Sequence, residues 1–148
     1  MRPSASSENA RATMRANRST SALEVRFRKE LFSRGIRGYR ITLRLPGRPD
    51  IVYPGARLAV FVHGCFWHGC PICRLPEPKA NGEFWQDKRA ENAARDERVV
   101  EALRDAGWRT EVVWEHEIRA SLDDPVRRIQ ALVDEGRSVQ AKGEPGVK

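Results

Sequence analysis

The stretch HGCFWHGCPIC, residues 63–73, constrains the fold of this chain more than any other segment. It holds all three cysteines and two of the three histidines of the 148-residue sequence, together with Phe66 and Trp67. An odd number of cysteines in a chain without a secretory leader argues against a disulfide framework. The remaining uses of such a segment are thiol redox chemistry, metal binding, catalysis and contact with nucleic acid.

The cysteines themselves favour zinc over redox chemistry. Cys70 and Cys73 form a Cys-x-x-Cys pair, but a redox pair of this kind opens a helix, and the two prolines of RLPEPKANG disfavour a helix there. Zinc requires four tetrahedral nitrogen or sulfur ligands, and Cys65 supplies a third thiolate. The sequence leaves the fourth ligand open among the histidines: His63, His68 or His116.

The periodicity of the remaining chain predicts a single α/β domain. Helices are predicted from Ser21 to a stop at Gly35, from Glu83 to Ala106, and from Asp124 onward. Strand patterns occupy residues 39–43, 48–53, 57–62 and 108–115, and Pro54-Gly55 forms a tight turn in a hairpin. The organisation expected is a flexible basic arm over residues 1–20, one domain over 21–136, and a disordered tail over 137–148.

The charge distribution points to a polyanionic partner. The chain carries 27 Lys and Arg against 20 Asp and Glu, a formal charge of +7, which favours nucleic acid. Eight basic residues and only two glutamates fall between Glu24 and Arg48. No apolar run approaches the ~20 residues of a membrane span, and residues 1–20 lack a hydrophobic signal core. We therefore expect a cytoplasmic protein that does not enter membranes.

Four further side chains suggest metal-dependent phosphodiester chemistry. Asp50 follows a proline at a strand start, and Glu24 lies on the preceding helix. His63 ends the hairpin, and His68 lies just beyond it. Carboxylates suit Mg²⁺, and a neutral histidine suits a general base on water. Each residue also has a structural interpretation. Asp50 can be a turn residue, Glu24 the capping partner of Ser21, and both histidines zinc ligands.

Four segments in this order and spacing resemble the very short patch repair endonucleases: LPGRPDIV, FVHGCFWHGC, FWQDKRAENAARD and GWRTEVVWE. The resemblance runs from about Thr13 to Glu115. It implies a restriction-endonuclease-like core, in which a central mixed β-sheet is flanked by helices and carries a structural zinc site. His63 stands roughly where a standard nuclease of that core has a lysine, which is consistent with histidine-based chemistry.

The resemblance also implies an activity and a catalytic site. Such enzymes are Mg²⁺-dependent and nick one strand 5′ of the T in a T:G mismatch left by deamination of 5-methylcytosine. Asp50 and the carbonyl of Val62 would hold Mg²⁺, and His68 would act as general base beside His63 and Glu24.

A zinc site is implied as well, at Cys65, Cys70, Cys73 and His116. In the family a cysteine commonly follows VWE where His116 stands, and Cys70 often has a histidine at its place. These exchanges preserve a four-ligand Cys/His set.

Contacts with DNA are implied by the same resemblance. Aromatic side chains insert beside the mismatch, helix residues face the duplex, and an N-terminal segment embraces it. The residues at these places are Phe66, Trp67, Trp85, Lys88, Asn92, Met14 and Arg15. The expected partner is double-stranded DNA with a T:G mismatch, bound by a monomer at the bacterial nucleoid, with mismatch-repair factors as further possible partners. The alternatives are a zinc-stapled binder of distorted DNA without nuclease activity, and a nuclease of other specificity.

Overall fold

A mixed three-stranded sheet forms the centre of the protein. The computed structural model describes residues 22–41, 43–65, 68, 70–73 and 82–141. Strands β1 (Ile51–Tyr53), β2 (Leu58–His63) and β3 (Arg109–Trp114) lie in the order β1-β2-β3. β2 is antiparallel to β1 and parallel to β3. It is therefore the central strand, and all six of its residues are buried.

Helices cover both faces of this sheet. Helix α1 (22–33) and helix α4 (Asp123–Ala141) pack on one face, and helix α2 (Gly82–Asp105) packs on the other. Alternate residues of β2 point to opposite faces, so Val60 belongs to the larger apolar cluster and Phe61 to the smaller one. The predicted arrangement of a mixed sheet between helices is confirmed.

The helix boundaries agree with the sequence patterns in two places. Gly35 and Gly107, the predicted stops, both have positive φ, at 87° and 86°. Ile36 N–H donates to Leu31 O at 2.9 Å, and Trp108 N–H donates to Leu103 O at 2.9 Å. These bonds close the helices as C-terminal capping motifs. Ser21, the predicted N-cap of α1, lies outside the described residues.

Three predictions of secondary structure were wrong. The described residues of segment 39–43 do not form a strand, since among them only Arg40 pairs with β1, through an isolated bridge to Val52. A short helix, α3 (Glu115–Ala120), follows β3 and was not predicted. α4 continues through Ala141, so residues 137–141 are helical where a disordered tail was expected.

None of the helices in the described part of the chain combines the length and the apolar character that a bilayer crossing requires.

Candidate active site and metal centre

The parallel pairing of β2 and β3 brings two distant parts of the chain to one edge of the sheet. In the register of these strands His63 lies opposite Trp114. The residues that follow each strand therefore leave the sheet side by side, Cys65 from β2 and His116 from β3. This pairing was not readable from the sequence, because spacing along the chain carries no register between strands separated by a long helix.

Cys65, Cys70, Cys73 and His116 converge at this edge. Their ligand atoms all lie within 4.8 Å of one another, and His116 Nδ1 is 3.4 Å from Cys65 Sγ and 3.5 Å from Cys70 Sγ. A tetrahedral zinc with ordinary bond lengths separates sulfur and nitrogen ligands by about 3.5 Å. The four donors thus already have the spacing of a closed zinc site, with His116 at the position that the sequence left open.

Backbone contacts hold this cluster in place. Cys70 N–H donates to Cys65 O at 2.9 Å, and Cys65 N–H donates to Glu115 Oε1 at 3.0 Å. Arg119 donates in turn to Glu115 Oε2 at 3.1 Å. Glu115 was not singled out from the sequence, since a glutamate at a strand end has no pattern that marks it as a partner of a loop 50 residues earlier.

The charge environment of the cluster suits a divalent cation. Burial raises the pKa of the Cys65 thiol to about 12, and the neighbouring thiols add to the rise. Thiolates at such a place require a positive charge beside them, and zinc supplies one while it deprotonates the cysteines. The donor set therefore fits zinc by residue type, by spacing and by burial.

A second group of polar side chains lies at the start of β1. Asp50 accepts a hydrogen bond from Val62 N–H, with 2.7 Å between Val62 N and Asp50 Oδ2. In an extended strand the N–H and C=O of one residue point to the same side, so the Val62 carbonyl faces the Asp50 side of β2. Glu24 on α1 is hydrogen-bonded to the Asp50 carboxyl group and also pairs with Arg28 at 2.9 Å. Three oxygen donors are thus brought together from α1, the β1 start and β2.

Burial raises the pKa of Asp50 to about 7, against the hydrogen bond from Val62, and the neighbouring Glu24 carboxyl group raises it further. Two adjacent carboxyl groups in a partly buried site resist simultaneous ionisation. A hard divalent cation removes that conflict, because it neutralises both carboxylates and prefers oxygen ligands.

The two histidines of the motif stack on each other, and His63 directly follows Val62, the residue bonded to Asp50. The His63 and His68 rings lie 3.7 Å apart with an interplanar angle of 7°. His68 Nδ1–H donates to Asp96 Oδ2 on α2 at 2.6 Å. Because an ionised carboxylate only accepts hydrogen bonds, this contact leaves His68 Nε2 as the basic nitrogen. Sequence reasoning missed Asp96 as this partner, although it lies four and eight residues beyond Asn92 and Lys88, on one stripe of α2.

His63 differs from His68 in its surroundings. It is 7% exposed. Burial lowers its pKa to about 4, and the charge of His68 lowers it further, against the effect of Asp96. His63 is therefore neutral at pH 7. His63, His68 and Asp96 also have ligand atoms within 4.8 Å of one another, but the short hydrogen bond to Asp96 fits a base and its orienting carboxylate.

Known proteins share these motifs. Over 86 residues the chain is 51% identical to the type II nicking enzyme V.XorIIP of Xanthomonas oryzae pv. oryzae, an alignment that covers 55% of this chain and 62% of that enzyme. It is 40% identical over 114 residues to the DNA mismatch endonuclease Vsr of Escherichia coli K12, covering 76% of this chain and 70% of that protein. Residues 5–74 match the family described as DNA mismatch endonuclease Vsr.

The chain belongs to the Vsr family. A third relative, the type II nicking enzyme V.NaeI of Lentzea aerocolonigenes, is 43% identical over 111 residues, which are 70% of this chain and 66% of that enzyme. The chain thus spans about two thirds of the length of these three relatives, from 62% to 70%. The resemblance drawn from the motifs is confirmed.

In this Vsr-family chain, helix α2 carries the described part of the predicted DNA surface. Lys88 is exposed and Asn92 half-buried, and both lie on the stripe that leads to Asp96. Asn92 accepts a hydrogen bond from Arg95 at 3.1 Å. With a rise of about 1.5 Å per residue, Lys88 lies about 12 Å along the axis from Asp96. The stripe therefore extends along α2 from the residue that pairs with His68.

Trp85 does not fit the predicted role of an inserting aromatic. Its side chain is 1% exposed and contacts Phe84 edge to face. In this conformation the indole is part of the packing between α2 and its surroundings, and it is not presented to DNA. The other predicted DNA contacts, Phe66, Trp67, Met14 and Arg15, lie outside the described residues.

Proposed function

We propose that this chain is a Mg²⁺-dependent endodeoxyribonuclease that nicks one strand of double-stranded DNA 5′ of the T in a T:G mismatch. The observation that carries the proposal is the arrangement around Val62 and His63, two consecutive residues of β2, in a member of the Vsr family. Val62 N–H holds Asp50, which is hydrogen-bonded to Glu24, and His63 stacks on His68, the partner of Asp96. Relatives named as nicking enzymes and as a mismatch endonuclease support both the reaction and its substrate.

Asp50 and the Val62 carbonyl would hold Mg²⁺, and Glu24 would complete the acidic side of the site. When bound, the ion polarises the scissile phosphate and offsets the charge that develops on it. The hydrogen bond from Val62 N–H holds Asp50 in position, because it restricts the orientation of the Asp50 carboxylate.

His68 would act as the general base on the attacking water. Nε2 accepts the proton, and Asp96 at Nδ1 stabilises the imidazolium that results. The neutral His63 ring stacked on His68 restricts its rotation and excludes water from one face. The water oxygen then bonds to phosphorus, and the bond to the leaving sugar oxygen breaks.

The mismatch would be recognised by deformation of the duplex. A T:G pair is weaker than a matched pair, so wedge side chains unstack it at lower cost. Phe66 and Trp67 adjoin the candidate zinc ligand Cys65 and the candidate base His68 in the chain, which supports their role as wedges. Lys88 and Asn92 would contact the duplex from α2, and Met14 and Arg15 from the N-terminal arm. Zinc at Cys65, Cys70, Cys73 and His116 would hold the loop that carries the wedges.

A nicking assay tests the proposal. A duplex with one T:G pair is compared with its matched T:A parent, with and without Mg²⁺, using the wild type, Asp50→Ala and the exposed-site control Asp134→Ala. We expect a Mg²⁺-dependent nick 5′ of the mismatched T with the wild type and with the control variant. The matched duplex and Asp50→Ala should remain uncut.

Two other outcomes would each remove part of the proposal. Equal nicking of both duplexes would retain the nuclease and exclude the mismatch specificity. Tight binding of the T:G duplex without any cutting would support a zinc-stapled binder of distorted DNA in place of an enzyme.

A further inference from the structure

An open cleft of about 800 Å³ lies beside the carboxyl pair of the candidate active site. Asp50 and Glu24 line one side of it, and the loop that precedes β1 lines the other. That loop contributes Arg44 and Arg48, both exposed. The exposed apolar side chains of Ile41 and Leu43 lie at the same cleft. This surface was not part of the DNA contacts implied by the sequence resemblance.

Neither arginine has an acidic partner among the described residues. Five arginines elsewhere each pair with a carboxylate: Arg28, Arg34, Arg109, Arg119 and Arg128. Among the described residues no carboxylate lies within ion-pair distance of Arg44 or Arg48. Two guanidinium groups without a partner, next to two carboxyl groups, leave a positive surface at the rim of an acidic centre.

The backbone at Arg48 is held in an unusual conformation. Gly47 and Arg48 both have positive φ, at 75° and 49°, and Arg48 N–H donates to Leu45 O at 3.0 Å. A left-handed conformation costs a non-glycine residue about 1 kcal/mol or more, and such strain concentrates at functional positions. Glycine would satisfy this turn without strain, yet the chain has an arginine there, as it also does at Arg57, whose φ is 52°.

We infer that Arg44 and Arg48 bind the backbone phosphates next to the scissile phosphodiester and hold the cut strand over Asp50. The inference rests on the proposed function, since it concerns the same cleft. A carboxyl pair attracts a metal ion but repels the phosphates of the substrate. Guanidinium groups counter that repulsion and bind phosphate oxygens in a bidentate manner, and contacts of this kind set the position of the duplex without reading sequence.

The salt dependence of binding tests this inference. The affinity for a T:G duplex is measured over a series of KCl concentrations, with Ca²⁺ in place of Mg²⁺. The proteins are the wild type, Arg44→Gln, Arg48→Gly and the control Arg127→Gln on the exposed side of α4. Each cleft variant should bind about ten-fold more weakly at low salt, and its slope of log affinity against log salt should fall by about 0.9. Arg127→Gln should match the wild type in both.

Arg48→Gly separates the side chain from the backbone. Because glycine accepts a φ of 49° without strain, the variant should melt at the wild-type temperature or above while binding more weakly. Arg48→Lys should restore the salt slope, because it retains the charge. A variant that loses affinity together with its thermal midpoint would mean that Arg48 supports only the fold, and it would overturn the inference.

Neutral phosphates locate the contact on the DNA. Duplexes with a single methylphosphonate at successive positions around the nick site are bound by the wild type and by Arg48→Gly. We expect one position at which the methylphosphonate weakens binding by the wild type. At that position it should not weaken binding by Arg48→Gly any further. If the loss of affinity caused by the methylphosphonate and the loss caused by Arg48→Gly add at every position, the inference is overturned. The wild type could show this position-specific loss and yet not nick any duplex in the nicking assay. In that case the proposed function fails and the phosphate contact stands.

Discussion

The surroundings of Asp50 oppose its ionised form, because burial and Glu24 raise its pKa to about 7. A carboxyl group with a raised pKa binds its proton more tightly in the folded state. The folded protein is therefore stabilised relative to the unfolded chain at low pH, and this contribution is lost as the pH rises from about 4 through 7. We expect Asp50→Asn to stabilise the Mg²⁺-free protein at pH 8 by about 1 to 3 kcal/mol, while nicking is abolished.

Urea unfolding between pH 4 and 8 measures this gain, in buffer without Mg²⁺ and without chelator so that any zinc is retained. The gap between Asp50→Asn and the wild type should widen with pH and level off above 7, and exposed Asp134→Asn should show no such widening. A constant gap would mean that the Asp50 carboxyl group is ionised at all these pH values.

Asp96 bonds His68 Nδ1, so in the proposed mechanism it leaves Nε2 free to accept the proton of the attacking water. Asp96→Asn keeps the size and one acceptor oxygen but removes the charge. We expect single-turnover nicking to fall about 100-fold, with duplex affinity and thermal midpoint close to those of the wild type. Glu97→Gln, an exposed neighbour on α2, is the matched control. Equal rates for both variants would remove Asp96 from the site.

At the scale of an element, the turn before β1 is determined by its contact with α2. Gly47 has a φ of 75°, and a Cβ there would overlap the side chain of Val99. Gly47→Ala should therefore destabilise the protein by about 2 kcal/mol and displace Arg48 and Asp50. Thermal melting and duplex affinity should both decline. Gly55→Ala, at a glycine with open space around it, should change neither.

Relief of the contact gives a second test of the same turn. Val99→Ala combined with Gly47→Ala should recover part of the lost stability, because it removes the overlap and leaves only the backbone strain. No recovery would mean that the conformation of Gly47 alone accounts for the loss.

At the scale of the molecule, the proposed zinc ligands join the loop after β2 to α3 after β3. We expect one zinc per chain, measured by elemental analysis. His116→Ala should lose it, with a fall in thermal midpoint of roughly 10 °C. His116→Cys retains four ligands, so it should retain zinc and most of the stability. A zinc content that is unchanged in His116→Ala would place the fourth ligand elsewhere.

Much of the architecture followed from local patterns. Helix α2 and the hairpin of β1 and β2 were predicted from periodicity, and Gly35 and Gly107 as stops from the preference of glycine for positive φ. The strand prediction for 39–43 was wrong because alternation indicates a strand but not a pairing partner. Among the described residues of this segment only Arg40 pairs with β1. Helix α3 was not predicted because its six residues are too few for a helical period to appear.

What the sequence by itself determined were the residue types of two sites. Three cysteines in eleven positions imply a metal, and Asp50 with His68 implies phosphodiester chemistry. His116 and Glu24 were named from the family resemblance, and Asp96 was not named as a partner. That His116 lies beside the cysteines, Asp96 beside His68 and Glu24 beside Asp50 was shown by the tertiary structure. The reason is physical. Each of these pairs joins separate elements, and their distance is set by strand register and helix packing, which depend on the whole core.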